Sequence, residues 1–277
     1  MKDKILRLGL IGKDVSKSVS GKNHAFILKQ MGYEVEYESI STSMDGFDSA
    51  IRHLLGDFDG FNITIPYKRD VFAYLDGIEG DALLCGAVNT VINKTRIGYN
   101  TDVAGFLLML RLSGMEVKNK KILVLGAGGA GRSTAVALKG AGADVYIYQR
   151  NQEKLQEVCN ELSLQAASDP ESGGYDILIN CTGVGMHDSE GKSPVTKAAF
   201  RGAEGAIDLI YRPAESEFLR LAKEEGLPTL NGAPMLFYQA YYADCLYLER
   251  EADDKEAERF YQNYLTFLEE DKKETGR

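Results

Sequence analysis

The chain is short of cysteine, of long apolar runs and of surplus positive charge, and each shortage removes a class of function. Its four cysteines, Cys85, Cys159, Cys181 and Cys245, are scattered. No two form a Cys-x-x-Cys pair, and no histidine lies near one at metal-ligand spacing. No metal site and no disulfide framework follow, and reduced, mostly buried thiols are expected. No apolar stretch approaches the roughly 20 residues that span a bilayer. The opening MKDKILRLGLIGKD has too short an apolar run for a signal peptide and no small-residue cleavage site, so a cytoplasmic protein without a membrane partner is expected. A net charge of −9 leaves no basic surplus to displace counterions from a phosphate backbone, which argues against a nucleic-acid partner. It leaves room for a small anionic substrate, because a local site can be basic on an acidic protein. Internal repeats and low-complexity segments are absent.

What is there suits one or two globular domains: 277 residues, 44% hydrophobic and 26% charged. The first hundred residues alternate between two periodicities. Leu6 to Ile11, Glu34 to Ser39 and Gly60 to Ile65 read as strands, whereas Asn23 to Met31 and residues 47–55 read as helices. A further helix is expected from Lys68 to Leu75, just after Pro66. A second unit opens with the apolar run Lys121 to Leu125, followed by a helix over Arg132 to Lys139 and a strand over Asp144 to Tyr148. Asp176 to Asn180 and Ala206 to Leu209 read as strands, and 151–162 and 215–225 as helices. A helix at 102–112 precedes this unit, and helical spacing from about Met235 to Leu268 follows it, with a frayed end at EEDKKETGR. The rhythm predicts α/β architecture with two open α/β domains.

The junction of strand and helix at Gly126-Ala127-Gly128-Gly129-Ala130-Gly131 carries the first chemistry. In a G-x-G-x-x-G turn of this kind, the first glycine allows the tight turn, the second lets the backbone approach a pyrophosphate, and the last allows close helix–strand packing. The helix N-terminus then offers free N–H groups and a partial positive charge to phosphates. A functionless glycine-rich loop is the alternative, and the flanking strand and helix argue against it. About twenty residues on, where an NAD-preferring protein carries an acidic residue, the chain has Gln149-Arg150-Asn151. An arginine without a carboxylate beside it can hold a 2′-phosphate, and Lys154 adds charge one turn later, so NADP is favoured over NAD.

The first domain supplies polar groups of another kind. Ser18 and Ser20 flank a loop before a helix, where capping is one role and carboxylate binding another. In Asn62-Ile-Thr64-Ile-Pro66-Tyr-Lys68, alternation puts Asn62 and Thr64 on one side of a strand that Pro66 ends. Gly86-Ala-Val-Asn89-Thr90 and Gly98-Tyr-Asn-Thr-Asp102 punctuate strands with polar residues, and each alone could be merely a turn. Together they offer one lysine, one aspartate and several amides and hydroxyls, an inventory suited to a polyhydroxylated acid.

At this point the chain resembles the shikimate dehydrogenase family over nearly its whole length. The blocks above are joined by His24 four residues after Ser20, by Asn180-Cys-Thr182-Gly-Val-Gly-Met186, by Asp208-Leu-Ile-Tyr211-Arg-Pro213, and by Gly232 with Met235-Leu236 and Gln239-Ala240. The resemblance implies a substrate domain formed by residues 1–103 and 239–277 and a Rossmann-type NADP-binding domain over 104–238, with a cleft between them. It implies Lys68 and Asp102 as the catalytic pair. It places Ser18 and Ser20 on a substrate carboxylate, Thr64, Asn89 and Gln239 on its hydroxyls, and Tyr211 near the substrate. For the cofactor it implies Gly126 to Gly131, Gln149, Arg150, Asn151, Lys154, Thr182, Gly232 and Met235. Several positions depart from the family pattern. Lys17 and Gly21 stand where His and Pro are usual, which loosens the serine loop, and Gln149 and Asn151 stand where Asn and Thr are usual. Cys181 and Gly183 vary the nicotinamide-side loop.

The implied reaction is reversible reduction of 3-dehydroshikimate to shikimate by NADPH, with no metal, in a monomer or homodimer. Lys68 would stabilise and protonate the developing oxyanion, and Asp102 would orient it. A structural salt bridge is the plain alternative for that pair. The rival functions are a quinate or quinate/shikimate dehydrogenase using NAD(P), and a non-catalytic ligand sensor of the same fold, for which an intact Lys68 and Asp102 would have no use. Two-domain dehydrogenases of folate or amino-acid substrates share only the cofactor half. His53 and His187 read as ordinary surface or loop residues, and the tyrosine-rich stretch Phe237 to Tyr247 as a packing face, Gln239 excepted.

Overall fold

The computed structural model describes residues 5–275, and side chains as far as Asp271. Strands and helices alternate at first: β1 (Leu6–Gly12), α1 (Ser20–Gln30), β2 (Val35–Ser41), α2 (Met44–Asp57) and β3 (Gly60–Ile63). Shorter pieces follow, namely β4 (Gly77–Ile78), α3 (Asp81–Cys85), β5 (Thr90–Ile92) and β6 (Ile97–Tyr99). Next come α4 (Asp102–Ser113), β7 (Lys121–Leu125), α5 (Gly129–Gly140), β8 (Asp144–Tyr148), α6 (Gln152–Leu162) and β9 (Gln165–Ala166). The described chain ends with β10 (Ile177–Asn180), β11 (Gly205–Asp208), α7 (Glu217–Glu224), β12 (Thr229–Asn231), α8 (Ala233–Tyr247) and α9 (Asp254–Thr275). No described helix is long and apolar enough to cross a membrane.

The chain divides into two compact units. One contains the chain up to Leu83, Ala87–Thr101 and everything from Leu236 onward; the other contains Leu84–Gly86 and Asp102–Met235. In the first unit the strand order is β2-β1-β3-β5-β6-β4. β1 runs parallel to β2 and β3, whereas β5 is antiparallel to both β3 and β6, so this sheet is mixed. The short link between β5 and β6 permits only a hairpin, because a parallel pair needs a crossover. Alternation along β1 sends Leu6 and Leu8 to one face, against Leu28, Ala243 and Tyr247, and Ile11 to the other, against Phe47, Ile51 and Phe61.

The second unit has the order β12-β11-β10-β7-β8-β9, and every pairing in it is parallel. Such strands are covered on both faces, which is why β10 and β11 are buried at every residue and read as apolar runs. Chain order reverses between β7 and β10, and an open parallel sheet binds ligands at such a switch point.

Three local expectations are revised. The helix foreseen over Lys68 to Leu75 is a turn followed by a 3-10 helix at Asp70–Tyr74. The Lys68 carbonyl, which an α-helix would offer to Phe72, takes the Val88 N–H at 2.8 Å, and Phe72 donates to the Arg69 carbonyl at 3.1 Å in the 3-10 pattern. The C-terminal helical stretch is two helices, separated where the Tyr241 hydroxyl bonds both the carbonyl and the N–H of Asp253. The frayed end foreseen from Glu269 is helical through Thr275, and Gly276 and Arg277 lie outside the described residues. All four cysteines are free, and three of them are buried.

Arg132 is a buried cation that helix propensity alone did not single out. Its side chain is 4% exposed, pairs with Glu161 and donates from Nε to the Cys85 carbonyl at 2.7 Å. That bond ties the segment Leu84–Gly86 to α5. Arg132→Ala is expected to cost about 2–3 kcal/mol, as loss of a charged partner from a buried carbonyl does; the urea unfolding midpoint measures it, with Arg111→Ala, on an exposed position, as the unchanged control.

Candidate active site

The glycine turn follows the buried strand β7, at the switch point. Gly126 has φ +103°, a region closed to side chains, and a Cβ at Gly131 would sit 1.9 Å from the Gly126 carbonyl oxygen. The turn therefore closes so tightly that its last residue has to be glycine. Gly128 differs, because a Cβ there would meet nothing within 4 Å. It is the N-cap of α5 and has no side chain to cap the first N–H groups, so they are available to an anion from outside. These features fit a dinucleotide pyrophosphate.

At the end of β8, Arg150 is exposed and Gln149 is half-buried. The Gln149 side chain accepts the Arg150 N–H at 2.9 Å, and Asn151 caps α6 by accepting the Lys154 N–H at 2.9 Å. The local order of this segment thus comes from its own amides, and the Arg150 and Lys154 side chains project from it without an acidic neighbour in sequence beside Arg150.

The loops after β10 and β11 are joined through one buried carboxylate. Asp208 is fully buried and accepts from Asn180 at 3.1 Å, from the Ile210 N–H at 2.9 Å and from Ser216. Burial pushes its carboxyl up to about 6, against those three donors. Asn180 in turn accepts from the Thr182 hydroxyl at 2.6 Å and from its N–H at 3.0 Å. Tyr211 is half-buried, and burial raises its hydroxyl. Met235 is buried near the start of α8, and Gly232 passes so close to Leu209 that a Cβ would lie 2.0 Å from that carbonyl oxygen.

The first unit brings together residues far apart in sequence. Asn89, buried beside β5, donates to Thr101 at 2.9 Å and to Gln239 of α8 at 3.4 Å. Its Oδ1 accepts the Thr101 N–H at 2.9 Å and the Thr90 hydroxyl at 2.9 Å. Gln239 is oriented by donating to the Leu236 carbonyl at 2.9 Å. Thr64 and Lys68 are half-buried in the turn that leaves β3. Ser18 is exposed and its Oγ accepts the Ser20 N–H at 3.2 Å, while Ser20 itself is buried as the first residue of α1. Asp102, 7% exposed, directly follows Thr101 in the chain and is the first residue of α4, in the second unit.

Known proteins match both parts of the chain. Residues 10–91 match the model of the shikimate dehydrogenase substrate binding domain, and residues 109–183 match that of shikimate / quinate 5-dehydrogenase. Shikimate dehydrogenase (NADP(+)) of Thermus thermophilus is 37% identical over 86% of this chain and 91% of its own. The chain belongs to the shikimate dehydrogenase family. A crystal structure of the Thermus thermophilus enzyme in complex with NADP(H) and shikimate superposes with a TM-score of 0.83 at 35% identity, covering 94% of this chain and 99% of that one. A chorismate mutase/shikimate 5-dehydrogenase fusion protein from Clostridium acetobutylicum gives 0.87 at 32% identity, covering 96% and 100%.

Among shikimate dehydrogenase features, some polar groups beside the expected residues are not read from motifs alone. Tyr37 of β2 bonds Ser20 at 2.8 Å, and Asn62 bonds Thr90 at 3.2 Å and the Asn89 carbonyl at 3.3 Å. Asn62 and Thr90 lie in quoted blocks; Tyr37 lies in none, and only its place in an alternating strand could have pointed to it. His24, completely buried, pairs with an equally buried Asp244 at 2.6 Å. Burial raises that carboxyl to about 6, while His24 opposes the shift.

The two turn glycines separate packing from ligand space. Gly131→Ala is expected to lower stability by about 1–3 kcal/mol, the usual cost of overpacking. Gly128→Ala meets no clash and should cost less, about 1 kcal/mol or below, the loss of a glycine N-cap. Urea titration of both variants measures the contrast.

Proposed function

We propose that this chain is an NADP-dependent shikimate dehydrogenase that interconverts 3-dehydroshikimate and shikimate. The observation that carries the reading is family membership over most of the chain, with a relative named shikimate dehydrogenase (NADP(+)) at 37% identity. Related structures holding NADP(H) and shikimate support the same ligands here. Residues 1–103 and 239–277 form the substrate part and residues 104–238 the cofactor part. Gly126 to Gly131 hold the pyrophosphate, Arg150 and Lys154 the 2′-phosphate, with Gln149 and Asn151 keeping that segment in shape. Thr182, Gly232 and Met235 line the nicotinamide side.

Ser18 and Ser20 hold the substrate carboxylate, Thr64, Asn89 and Gln239 its hydroxyls, and Tyr211 lies near it. When bound, the reduced dinucleotide supplies a hydride. Lys68 stabilises the negative charge that develops on the carbonyl oxygen and delivers a proton to it. Asp102 orients that ammonium group and accepts a bond from a neighbouring substrate hydroxyl. Buried, oriented amides around the ring hydroxyls favour a substrate that can satisfy all of them, since an unpaired buried polar group is costly.

Steady-state oxidation of shikimate and of quinate, each with NADP and NAD, tests the reading; shikimate with NADP is expected to have the highest kcat/KM, and a preference for quinate with NAD would overturn it. Lys68→Ala is expected to lower kcat by about 100-fold or more, as loss of a positioned acid–base group does, with shikimate affinity largely kept. Arg150→Ala is expected to raise the KM for NADP by about tenfold, the scale of one lost charge-assisted contact, and to leave the KM for NAD nearly unchanged.

A further inference from the structure

Two loops of the second unit hang from one buried anion, and the hydrogen bonds that leave it have a direction. The Thr182 N–H can only donate, so Asn180 turns Oδ1 toward it, at 3.0 Å, and the Thr182 hydroxyl donates to the same oxygen at 2.6 Å. Asn180 Nδ2 then faces Asp208 Oδ1 at 3.1 Å and the Val184 carbonyl at 3.2 Å. The Thr182 hydroxyl gives its one proton to Asn180 and accepts the Val184 N–H at 3.1 Å. From Asp208 outward, each group thus turns its acceptor end toward the loop after β10. Asp208 itself is completely buried. Its three partners, Asn180, the Ile210 N–H and Ser216, are neutral, and it forms no ion pair among the described residues. Its charge is spread along the chain of bonds but not cancelled.

We propose that Asp208 is a positioning residue for this loop: through Asn180 and Thr182 it gives the loop a negative polarity that favours the oxidised dinucleotide, whose nicotinamide ring is positively charged, over the reduced one, whose ring is neutral. The proposal rests on the reading of Thr182 as a nicotinamide-side residue. Hydrogen bonds in a chain polarise one another, so the carboxylate strengthens the acceptor character of Thr182 two bonds away. A positive ring gains from such acceptors an attraction that a neutral ring does not, and the low dielectric around a buried charge keeps that attraction from being screened.

The hydrogen bonds alone do not require an anion at this position. Asn180 and the Ile210 N–H both meet Oδ1, and Oδ2 meets only Ser216, so a neutral amide could accept the first two and donate to the third. The Ser216 hydroxyl has a second lone pair for that purpose beside the one that accepts the Leu219 N–H at the start of α7. Burial of the carboxylate works against its ionisation, pushing it up to about 6 in spite of the three donors. An anion desolvated where an amide would serve is explained by a use for the charge itself.

The test is calorimetric titration of the full-length protein, well above pH 6, with NADP+, NADPH and adenosine 2′,5′-bisphosphate, which lacks the nicotinamide. Asp208→Asn keeps the hydrogen bonds and removes the charge. It is expected to weaken NADP+ binding about three- to tenfold, the range of one partly screened charge–charge attraction, and to leave NADPH and the bisphosphate within about twofold. An unchanged NADP+ affinity, or equal losses for NADP+ and NADPH, would overturn the proposal. Thr182→Val with all three affinities at their parental values would overturn the reading of Thr182, and the proposal with it, and that variant tells the two failures apart. Should Asp208→Asn not fold, the ratio of NADP+ to NADPH affinity is followed against pH in a His187→Gln variant, which removes the loop's own histidine. The 2′-phosphate is common to both ligands and cancels in the ratio. Of the other titratable groups nearby, burial pushes the Cys181 thiol up to about 12 and raises the Tyr211 hydroxyl, and Arg220 holds Glu217 low, so these keep their charge state. The preference for NADP+ is present above about 6, where Asp208 is ionised, and is expected to fade as the pH drops through that value; a flat ratio would overturn the proposal.

Discussion

The Thr101 N–H, donated into Asn89 Oδ1, settles more of this molecule than its single bond suggests. A carboxamide has two ends of nearly equal shape and opposite hydrogen-bonding sense, so an isolated one carries little information. Anchored on a backbone group, it has only one sense. Asn89 is anchored by Thr101, Asn62 by the Asn89 carbonyl and Gln239 by the Leu236 carbonyl. Three buried amides from residues 62, 89 and 239 thus form one array of donors and acceptors. Such an array is costly unless complete, and once complete it is stiff.

The second unit reaches the same end with backbone in place of side chains. Its glycine turn has no side chain where the chain closes on itself at Gly131, and open space at Gly128 before the helix N-terminus. In both units the candidate site residues follow the carboxyl ends of parallel strands. The serine loop follows β1, and Thr64 and Lys68 follow β3. The glycine turn, Thr182 and Tyr211 follow β7, β10 and β11. An open sheet exposes its strand ends there and leaves the faces to packing.

This arrangement explains what could be read from the sequence. Strands β7 and β10 are legible because a strand buried on both faces is almost wholly apolar, and the glycine turn is legible because its constraints are local to six residues. The pieces β4, β5 and β6 are two or three residues long, too short for alternation to register. The 3-10 helix at Asp70–Tyr74 was read as α-helix because the competitor for the Lys68 carbonyl, Val88, is twenty residues away. Motif blocks named Asn89 and Gln239, but their meeting across 150 positions is a property of the fold. Arg132 looked like an ordinary helix former, and only its burial beside Cys85 shows otherwise.

The departures in the serine loop show how a fold relocates a restraint. A proline at position 21 would fix the backbone where α1 begins, and its absence led to the expectation of a looser loop. The structure instead ties that loop to strand β2. Val15 donates its N–H to the Ser41 hydroxyl at 3.0 Å, and Ser18 closes a turn onto the Val15 carbonyl at 3.0 Å. Tyr37 bonds Ser20 at 2.8 Å, and its ring lies beside Gly21. Ser41 and Tyr37 both belong to β2, so the stiffness comes from the sheet edge. The glycine is then no simple loss of order, because the hydrogen bonds from β2 restrain the loop without it.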